Sequence, residues 1–335
     1  MNASKLLFMT TMMIGTILVI SSENWLGIWM GLEMNMLSFI PIIFEGKKTN
    51  SAESCMIYFL IQSISSMFML MLVLTDLSLT MLPYMEDKLK NIMLLSSIMI
   101  KLGVPPFHFW FPEIVKKMEW TNSLILMTWQ KVAPLTILSY LLINSPYTPM
   151  LIMLSVIVGA MGGLNQTSIH KIMAFSSINH MGWMIACMKL NNSLWMGYLA
   201  IYSLILIMMV YIFQKHSISY INQLYLCSSS MSEKSLIIIL FMSLGGLPPF
   251  LGFLPKWMVI QVMVVYNTYP TLIIMVLSSL ITLFYYLRMI NSNLLIYSSS
   301  WKWNMQANNQ VMSNKLSIFL ILLNMSLPLI LIFML

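Results

Sequence analysis

The segment SLIIILFMSLGGLPPFLGFLPKWMVIQVMVVY (residues 235–266) decides the fold of this chain. It is apolar throughout and longer than the about 20 residues that a straight helix needs to cross a bilayer. Glycine and proline in its middle, GGLPPFLGFLP, interrupt the hydrogen-bond ladder of a helix. The segment therefore predicts a membrane helix that is broken near its centre, with Lys256 beside the break.

A second copy of this break lies upstream. GVPPFHFWFPEI begins at Gly103 and aligns without gaps with GLPPFLGFLPKW, which begins at Gly246. An odd number of predicted helices separates the two copies, so they would cross the membrane in opposite directions. This arrangement is typical of inverted-topology repeats, whose broken helices place a site near the bilayer midplane. The alternative is a chance recurrence of Pro-Pro-Phe in an apolar chain.

The composition identifies the class of protein. Hydrophobic residues make up 59% of the chain and charged residues only 8%, whereas soluble proteins carry about 25% charge. The net charge of +7 comes from basic residues scattered among the loops. That pattern favours orientation in a lipid bilayer over nucleic-acid binding, and we expect no nucleic-acid partner.

Windows of about 20 apolar residues predict about eleven transmembrane helices in an all-α polytopic protein. The windows are 4–22, 24–44, 53–75, 91–111, 121–143, 149–167, 169–189, 193–213, 235–266, 270–290 and 316–335. The first favours a membrane helix over a signal peptide, because no cleavage site follows it. The loops with most of the basic residues lie on one side when the N-terminus faces the side of synthesis.

Four charged residues lie at the centres of apolar windows: Glu33, Lys101, Lys131 and Lys256. A charge at the bilayer centre costs about 2.5–3.5 kcal/mol on insertion scales and marks ion or proton pathways. The lysines are about ten residues from either helix end, about 15 Å, which is too far for easy snorkelling. The alternative is a static role, in which each lysine satisfies a carbonyl or a carboxylate, but one glutamate cannot pair three lysines. The pattern favours proton transfer.

Two histidines complete the predicted site. His180 lies midway along the seventh window, and His108 follows the first Pro-Pro-Phe. Each is either simply hydrogen-bonded or a proton relay. Gly159, Gly162 and Gly163 predict close packing of helices.

Several kinds of site have no signal in the sequence. There is no GxGxxG motif, no phosphate loop, and no cysteine spacing for a metal or a disulfide. We therefore expect no cofactor and no metal in this chain. No stretch outside the membrane is long enough for a soluble catalytic domain, so the sequence indicates that the chain moves something rather than converting it.

Together, SLGGLPPFLGFLPKW (243–257), KLGVPPFHFWFPE (101–113), HKIMAFSSINHMGW (170–183) and Glu33 resemble the antiporter-like subunits of respiratory complex I, NADH:ubiquinone oxidoreductase. The 37 methionines and the scarcity of arginine fit synthesis inside animal mitochondria. The resemblance implies one antiporter-like membrane domain over 1–335, with two inverted five-helix bundles that each contain one broken helix. The bundles would be 4–143 and 149–290, followed by a final transmembrane helix at 316–335.

The resemblance also implies roles for individual residues. Glu33 and Lys101 would be a coupled acid–lysine pair, Lys131 a bridging lysine, and Lys256 the lysine near an exit channel. The eighth window has no ionisable residue. Water with Tyr202 or Ser203 would then have to continue the relay.

The function implied is that of a proton-translocating membrane-arm subunit without a redox centre of its own. NAD, FMN, iron–sulfur clusters and ubiquinone would belong to partner subunits of complex I. The location implied is the mitochondrial inner membrane, multi-pass, with the N-terminus on the matrix side. A stand-alone cation/proton antiporter is the alternative. A purely structural subunit would leave four buried charges unexplained.

Overall fold

A computed structural model describes residues 3–44, 49–78, 87–142, 146–190, 193–226, 231–300, 318–322 and 324–325. The last predicted span, 316–335, lies mostly outside the described residues. The helices are α1 (Ala3–Ser21), α2 (Trp25–Ile43), α3 (Thr49–Ser78), α4 (Asp87–Leu102), α5 (Trp110–Lys117), α6 (Trp120–Met127), α7 (Trp129–Leu142), α8 (Thr148–Gly163), α9 (Ile169–Leu190), α10 (Leu194–Lys215), α11 (Gln223–Leu226), α12 (Met231–Gly245), α13 (Phe253–Val265) and α14 (Tyr269–Ser300).

The chain is an all-helical, multi-pass membrane protein. Within the described residues, 6 helical segments are long and apolar enough to cross a membrane, and the only strand-like pairing is an isolated bridge between Ser168 and Tyr220. Helices are the expected solution, because each backbone N–H and C=O in lipid must be satisfied within the segment. The apolar surface residues of α1 and α3 suit a lipid environment.

The chain divides into two compact units, Met1–Thr148 and Pro149–Leu335. In the first unit, α7 lies deep in the core, with Ala133, Leu135 and Leu138 fully buried. In the second unit, α9 is buried on nearly all sides, from Ile169 to Met188. A helix that is apolar or small all round is the central element of its bundle. These two helices carry Lys131 and His180.

The first Pro-Pro-Phe segment breaks its helix as predicted. α4 ends at Leu102, and Gly103 has φ +66°, a left-handed conformation that glycine adopts at little cost. The N–H of Gly103 donates to the carbonyl of Ile100 at 3.2 Å, and that of Val104 to Met99 at 3.1 Å. This pair of bonds is a Schellman motif, which satisfies the last carbonyls of a helix.

The second segment breaks in the same way. α12 ends at Gly245, and Gly246 has φ +78°. Its N–H donates to Ser243 at 3.0 Å, and the N–H of Leu247 donates to Met242 at 3.3 Å. The chain resumes as α13 only at Phe253. The long apolar segment is therefore two helices joined by a non-helical turn, as the sequence predicted.

Small residues bring α8 and α9 into close contact. A Cβ added at Gly159 would lie 2.5 Å from the backbone nitrogen of Asn179, and one at Gly162 would lie 2.3 Å from the ring of Phe175. A Cβ at Gly163 would meet Tyr285 at 2.8 Å. The predicted close packing at these glycines is confirmed.

Candidate functional site

An internal polar cavity lies in the first unit, between α2, α3, α4, α5 and α7. Its volume is about 20 Å³, enough for about one water molecule. Its polar lining residues are Asn35, Tyr58, Gln62, Lys101, Gln130 and Lys131. The cavity thus brings together two of the three predicted central lysines, from helices that are about thirty residues apart in sequence.

Lys101 lies in the last turn of α4 and is 8% exposed. The Schellman break two residues later ends the helix here, and the carbonyl of Lys101 accepts a hydrogen bond from Gln62 Nε2 at 3.1 Å. Glu33 is half-buried on α2 and interacts electrostatically with Lys101 and Tyr58. The structure thus brings Glu33 into electrostatic range of Lys101.

Lys131 is 3% exposed at the start of α7. A single residue, Thr128, separates α6 from α7, so the predicted helix at 121–143 has a short interruption beside the lysine. The N–H of Lys131 donates to the carbonyl of Thr128 at 3.3 Å. Its ammonium lies 5.5 Å from the ring centroid of Phe111, a cation–π distance. The first residues after the proline break thus form part of the surroundings of Lys131.

Amide and phenol groups connect the walls of the cavity. Tyr58 Oη donates to Gln130 Oε1 at 3.4 Å, and Gln130 Nε2 donates to Asn35 Oδ1 at 3.1 Å. The chain of bonds runs from α3 through α7 to α2, the helix that carries Glu33. Such a network satisfies buried polar groups and fixes their positions.

His108 does not line this cavity. It is half-buried in the turn between α4 and α5, where its ring lies 4.2 Å from that of Phe109. Its Nδ1 is buried without a hydrogen-bond partner among the described groups. The structure therefore separates His108 from the two lysines of the cavity.

In the second unit, Lys256 lies beside the break. It is 5% exposed on α13, and its ammonium donates back to the carbonyl of Gly245 at 2.9 Å, with Leu244 at 3.5 Å. These carbonyls are the free end of α12, where the helix dipole favours a positive charge. The ammonium also lies 5.8 Å from the centroid of Trp183. The break itself therefore holds this lysine.

His180 lies among tyrosines in the same unit. Its Nδ1 is 2.8 Å from Tyr198 Oη, and its ring centroid is 4.8 Å from that of Tyr202. Tyr202 is thus beside the histidine, whereas the hydroxyl of Ser203 donates to Ala200 of its own helix at 2.8 Å. Of the two residues named for this region of the relay, the geometry favours Tyr202.

An acidic group anchors the start of α12. Glu233 is 5% exposed and pairs with Lys215, and its second oxygen lies 3.0 Å from His216 Nε2. Burial acts to raise the pKa of the Glu233 carboxyl, but the hydrogen bonds and charges of Lys215 and His216 outweigh it and hold the pKa below its usual range. The cluster joins the end of α10 to the helix that leads to the second break.

Comparison with known proteins identifies the family. The family model described as "NADH:quinone oxidoreductase/Mrp antiporter, TM" matches residues 22–282. NADH-ubiquinone oxidoreductase chain 2 of Anopheles gambiae is 44% identical over 321 residues, covering 92% of this chain and 92% of the relative. The chain belongs to the NADH-ubiquinone oxidoreductase chain 2 family. The same protein of Locusta migratoria is 41% identical over 315 residues, covering 93% of this chain and 92% of the relative.

The fold of this chain 2 family member also occurs among solved structures. It matches a chain of respiratory complex I from Thermus thermophilus with bound aureothin at a TM-score of 0.76. The match covers 87% of this chain and 70% of that chain, at 22% sequence identity. At this identity the likeness shows the fold.

The sequence patterns did not single out several polar residues of the site in this chain 2 family member. Tyr58 and Gln62 are four residues apart on α3, and Gln130 directly precedes Lys131. A search for polar side chains with helical spacing inside the apolar windows would have found the first two. Asn35 gave no comparable signal, because its role depends on which helix faces α2. In the described part of the chain, no group of three His, Cys, Asp or Glu side chains is suited to a metal ion.

Proposed function

We propose that this chain is a proton-translocating membrane-arm subunit of respiratory complex I, which couples NADH-to-ubiquinone electron transfer to proton pumping. The observation that carries the proposal is the cavity in which buried Lys101 and Lys131 face Gln62 and Gln130. Charged amines buried in membrane segments are costly and mark ion or proton pathways. Membership of the chain 2 family supplies the enzyme to which such a pathway belongs.

The proton route proposed for the first unit starts at Glu33 and Lys101. A carboxylate that approaches the ammonium favours the charged lysine, and a carboxylate that withdraws lets the lysine release its proton. Lys131 is the next acceptor, across a cavity that has room for about one water molecule. The bonded chain Tyr58–Gln130–Asn35 supports this route, because it holds the cavity walls in place.

In the second unit, Lys256 and His180 are proposed as the proton carriers, and His108 as a relay near the first break. The ammonium of Lys256 can exchange its carbonyl partners for water, since its bonds are to the end of a helix rather than to an acid. Tyr198 and Tyr202 support a relay role for His180, because hydroxyl groups both accept and donate protons.

We infer further that the two broken segments are copies of an inverted repeat in a chain of eleven transmembrane helices. Equivalent backbone bonds at the two breaks support the repeat. The N–H of Phe107 donates to Val104 and that of Phe250 donates to Leu247, both at 3.0 Å, in addition to the two Schellman motifs. The positions of the apolar windows support the count and the opposite orientations.

The same proposal implies a membrane location and partner subunits for this chain. The chain would lie in the mitochondrial inner membrane with its N-terminus on the matrix side, among other membrane-arm subunits of complex I. NAD, FMN, iron–sulfur clusters and ubiquinone would be bound by those partners. The orientation rests on the positive-inside rule, which puts most of the basic residues, Lys215 and Arg288 among them, on the matrix side.

A stand-alone cation/proton antiporter is the second candidate, because the matching family model also covers Mrp antiporters. Cation exchange needs a carboxylate at the ion site. Glu33 is the one acid in the centre of the predicted windows, and this scarcity of acids disfavours the antiporter. The chain 2 relatives, which match over nine-tenths of this chain, favour the complex I proposal.

The test uses the complex purified in gentle detergent and reconstituted in vesicles. We expect the chain to elute with a very large assembly that oxidises NADH, and Lys131→Met to lower quinone-linked turnover and proton uptake without loss of the assembly. Lys90→Met, at the start of α4, is the control and should leave both unchanged. Elution of the chain alone, with sodium or potassium exchange for protons in vesicles, would favour the antiporter instead.

A further inference from the structure

The last predicted span carries an asparagine near its centre. Asn324 lies in the apolar window 316–335, and the described residues there, 318–322 and 324–325, are helical. Asn324 is 1% exposed, on the face opposite the side chains that contact lipid. Those lipid-facing side chains are exposed and apolar: Ile318, Phe319, Leu322 and Met325. The helix therefore directs its amide into the protein, where a polar group without a partner is costly.

The Asn324 side chain bonds to the turn of the second break. Its Oδ1 accepts a hydrogen bond from the N–H of Leu251 at 3.3 Å. Leu251 is 1% exposed and lies in the turn between α12 and α13. A buried backbone N–H needs a partner, and a side chain 73 residues away in sequence supplies it here.

Leu251 is the point at which the turn meets both halves of the broken helix. Its carbonyl accepts a hydrogen bond from the N–H of Leu254, in the first turn of α13, at 3.3 Å. A Cβ added at the next residue, Gly252, would lie 1.8 Å from the carbonyl oxygen of Ser243 on α12. The backbone at Leu251 thus connects the helix that carries Lys256 to the helix end that binds its ammonium.

Packing alone does not account for an asparagine at this position. The Nδ2 of Asn324 is buried without a hydrogen-bond partner among the described groups. A leucine has a similar shape and no polar atoms, so it would fill the same space without leaving a donor unsatisfied. The acceptor that Asn324 provides for Leu251 explains the asparagine.

We propose that Asn324 is a positioning residue, which fixes the turn of the second break and thereby holds Lys256 against the carbonyl of Gly245. The ammonium lies 2.9 Å from that carbonyl oxygen, a distance that depends on the relative position of α12 and α13. Without the bond from Leu251 the turn can shift, and the ammonium loses its fixed partner. The expected effect on turnover rests on the proposed function of Lys256, whereas the effect on the turn does not.

The first test measures the bond directly, by hydrogen exchange and mass spectrometry on the assembled complex. Peptides that cover residues 247–254 are compared in the wild type, Asn324→Leu and Asn324→Asp. Asn324→Asp keeps an oxygen acceptor, whereas Asn324→Leu does not. Loss of a buried hydrogen bond corresponds to about tenfold in an opening equilibrium. We expect the amide of Leu251 to exchange about tenfold faster in Asn324→Leu and near the wild-type rate in Asn324→Asp. Equal exchange in the wild type and Asn324→Leu would overturn the proposal.

The second test measures whether the bond acts through Lys256. Quinone-linked turnover per assembled complex should fall about tenfold in Asn324→Leu. In a complex that already carries Lys256→Met, Asn324→Leu should cause no further loss, because the lysine that it positions is absent. An additional tenfold loss in the double variant, or wild-type turnover in Asn324→Leu, would overturn the proposal.

The matched control is Asn122→Leu in the first unit. It also removes a buried amide bond to the backbone, from Asn122 Nδ2 to the carbonyl of Ile42 at 3.3 Å, and should leave turnover near the wild-type value. A tenfold loss in this control as well would show that such losses do not report on Lys256, and would overturn the positioning role.

The two tests separate this inference from the proposed function. Wild-type turnover in Lys256→Met would contradict the proposed function, while faster exchange in Asn324→Leu would still show that Asn324 fixes the turn. Reduced turnover in Lys256→Met with unchanged exchange in Asn324→Leu would overturn the role of Asn324 alone.

Discussion

The two proline breaks end their helices with the same motif and carry opposite charges at the aligned position. Each ends its helix at a glycine with positive φ, and each closes the same hydrogen bonds around that glycine. In the ungapped alignment, however, Lys256 corresponds to Glu113, which is exposed on α5. The second break thus has a buried lysine, Lys256, at the position where the first break has a glutamate, Glu113, at the surface.

The neighbours of the two glycines explain how this difference is accommodated. A Cβ at Gly246 would lie 2.8 Å from Cδ of Lys256, so the lysine side chain packs directly on the turn. A Cβ at Gly103 would lie 3.0 Å from Cβ of Phe111. At the first break, the side chain of Phe111 fills this space. The lysine near the first break, Lys101, lies instead on α4, two residues before Gly103. The two turns are alike at the glycine, and the side chain that packs on this glycine determines whether a lysine can lie beside the turn.

The largest difference between the breaks should appear when the equivalent residues are changed. Lys256→Met removes a buried charge without creating one, so assembly should persist, whereas quinone-linked turnover should fall about a hundredfold. Glu113→Gln, at the aligned position, should leave turnover near the wild-type value. NADH:quinone activity and the proton-to-electron ratio of the assembled complexes measure both. Wild-type activity in an assembled complex with Lys256→Met would contradict the proposed role of this lysine in proton transfer.

A smaller loss is expected at the first break when the acid near Lys101 is neutralised. Glu33→Gln removes the carboxylate that acts on Lys101 and should lower turnover about tenfold, which corresponds to about 1.4 kcal/mol in the barrier. Glu33→Asp keeps the charge on a shorter side chain and should be intermediate. Activity per assembled complex is the measurement. Equal turnover in the wild type, Glu33→Gln and Glu33→Asp would show that Glu33 does not control proton release from Lys101.

The two glycines sharpen the comparison further. Alanine in a left-handed conformation costs about 1–2 kcal/mol, so Gly103→Ala and Gly246→Ala should lower stability by similar amounts. Gly246→Ala should lower turnover more than Gly103→Ala, because its Cβ would push against the Lys256 side chain itself, whereas a Cβ at Gly103 would press on Phe111, which lies beside Lys131. Thermal unfolding and turnover are measured on the same preparations. A loss of turnover that is equal in the two variants would mean that Lys256 does not depend on the turn.

The smallest effect concerns the start of α12, the helix that leads to the second break. Because the pKa of Glu233 is held below its usual range, its charged form contributes stability above that range, and the contribution disappears as the pH falls. Glu233→Gln should lower stability by about 1 kcal/mol at pH 7 and by less at pH 4.

The matched control is Glu53→Gln, which removes the partner of Lys117 at a site where the glutamate side chain is 57% exposed. It should change stability little at either pH. Melting temperatures at the two pH values are the readout. A difference between wild type and Glu233→Gln that grows at pH 4 would contradict the sign of the shift.

The two proline breaks could be predicted from the sequence, but the polar networks could not. Pro-Pro-Phe after glycine has a strong local effect on the backbone, so the ends of α4 and α12 could be predicted from a few residues. The interruption at Thr128 could not, because neither glycine nor proline marks it. Likewise, the bond from Gln130 to Asn35 joins side chains 95 residues apart, and no local pattern predicts which helices face each other.

The sequence by itself determined that this is a membrane protein, where its two Pro-Pro-Phe breaks lie, and which residues carry charge into the apolar segments. These properties follow from hydropathy, from the missing N–H of proline and from the cost of a buried charge, all of which act locally. The tertiary structure decided that Lys101 and Lys131 share one cavity, that His108 lies apart from them, and that Lys256 turns back to the carbonyl of Gly245. Those outcomes depend on how distant helices pack, because packing determines which polar groups meet in a space too small for more than about one water molecule.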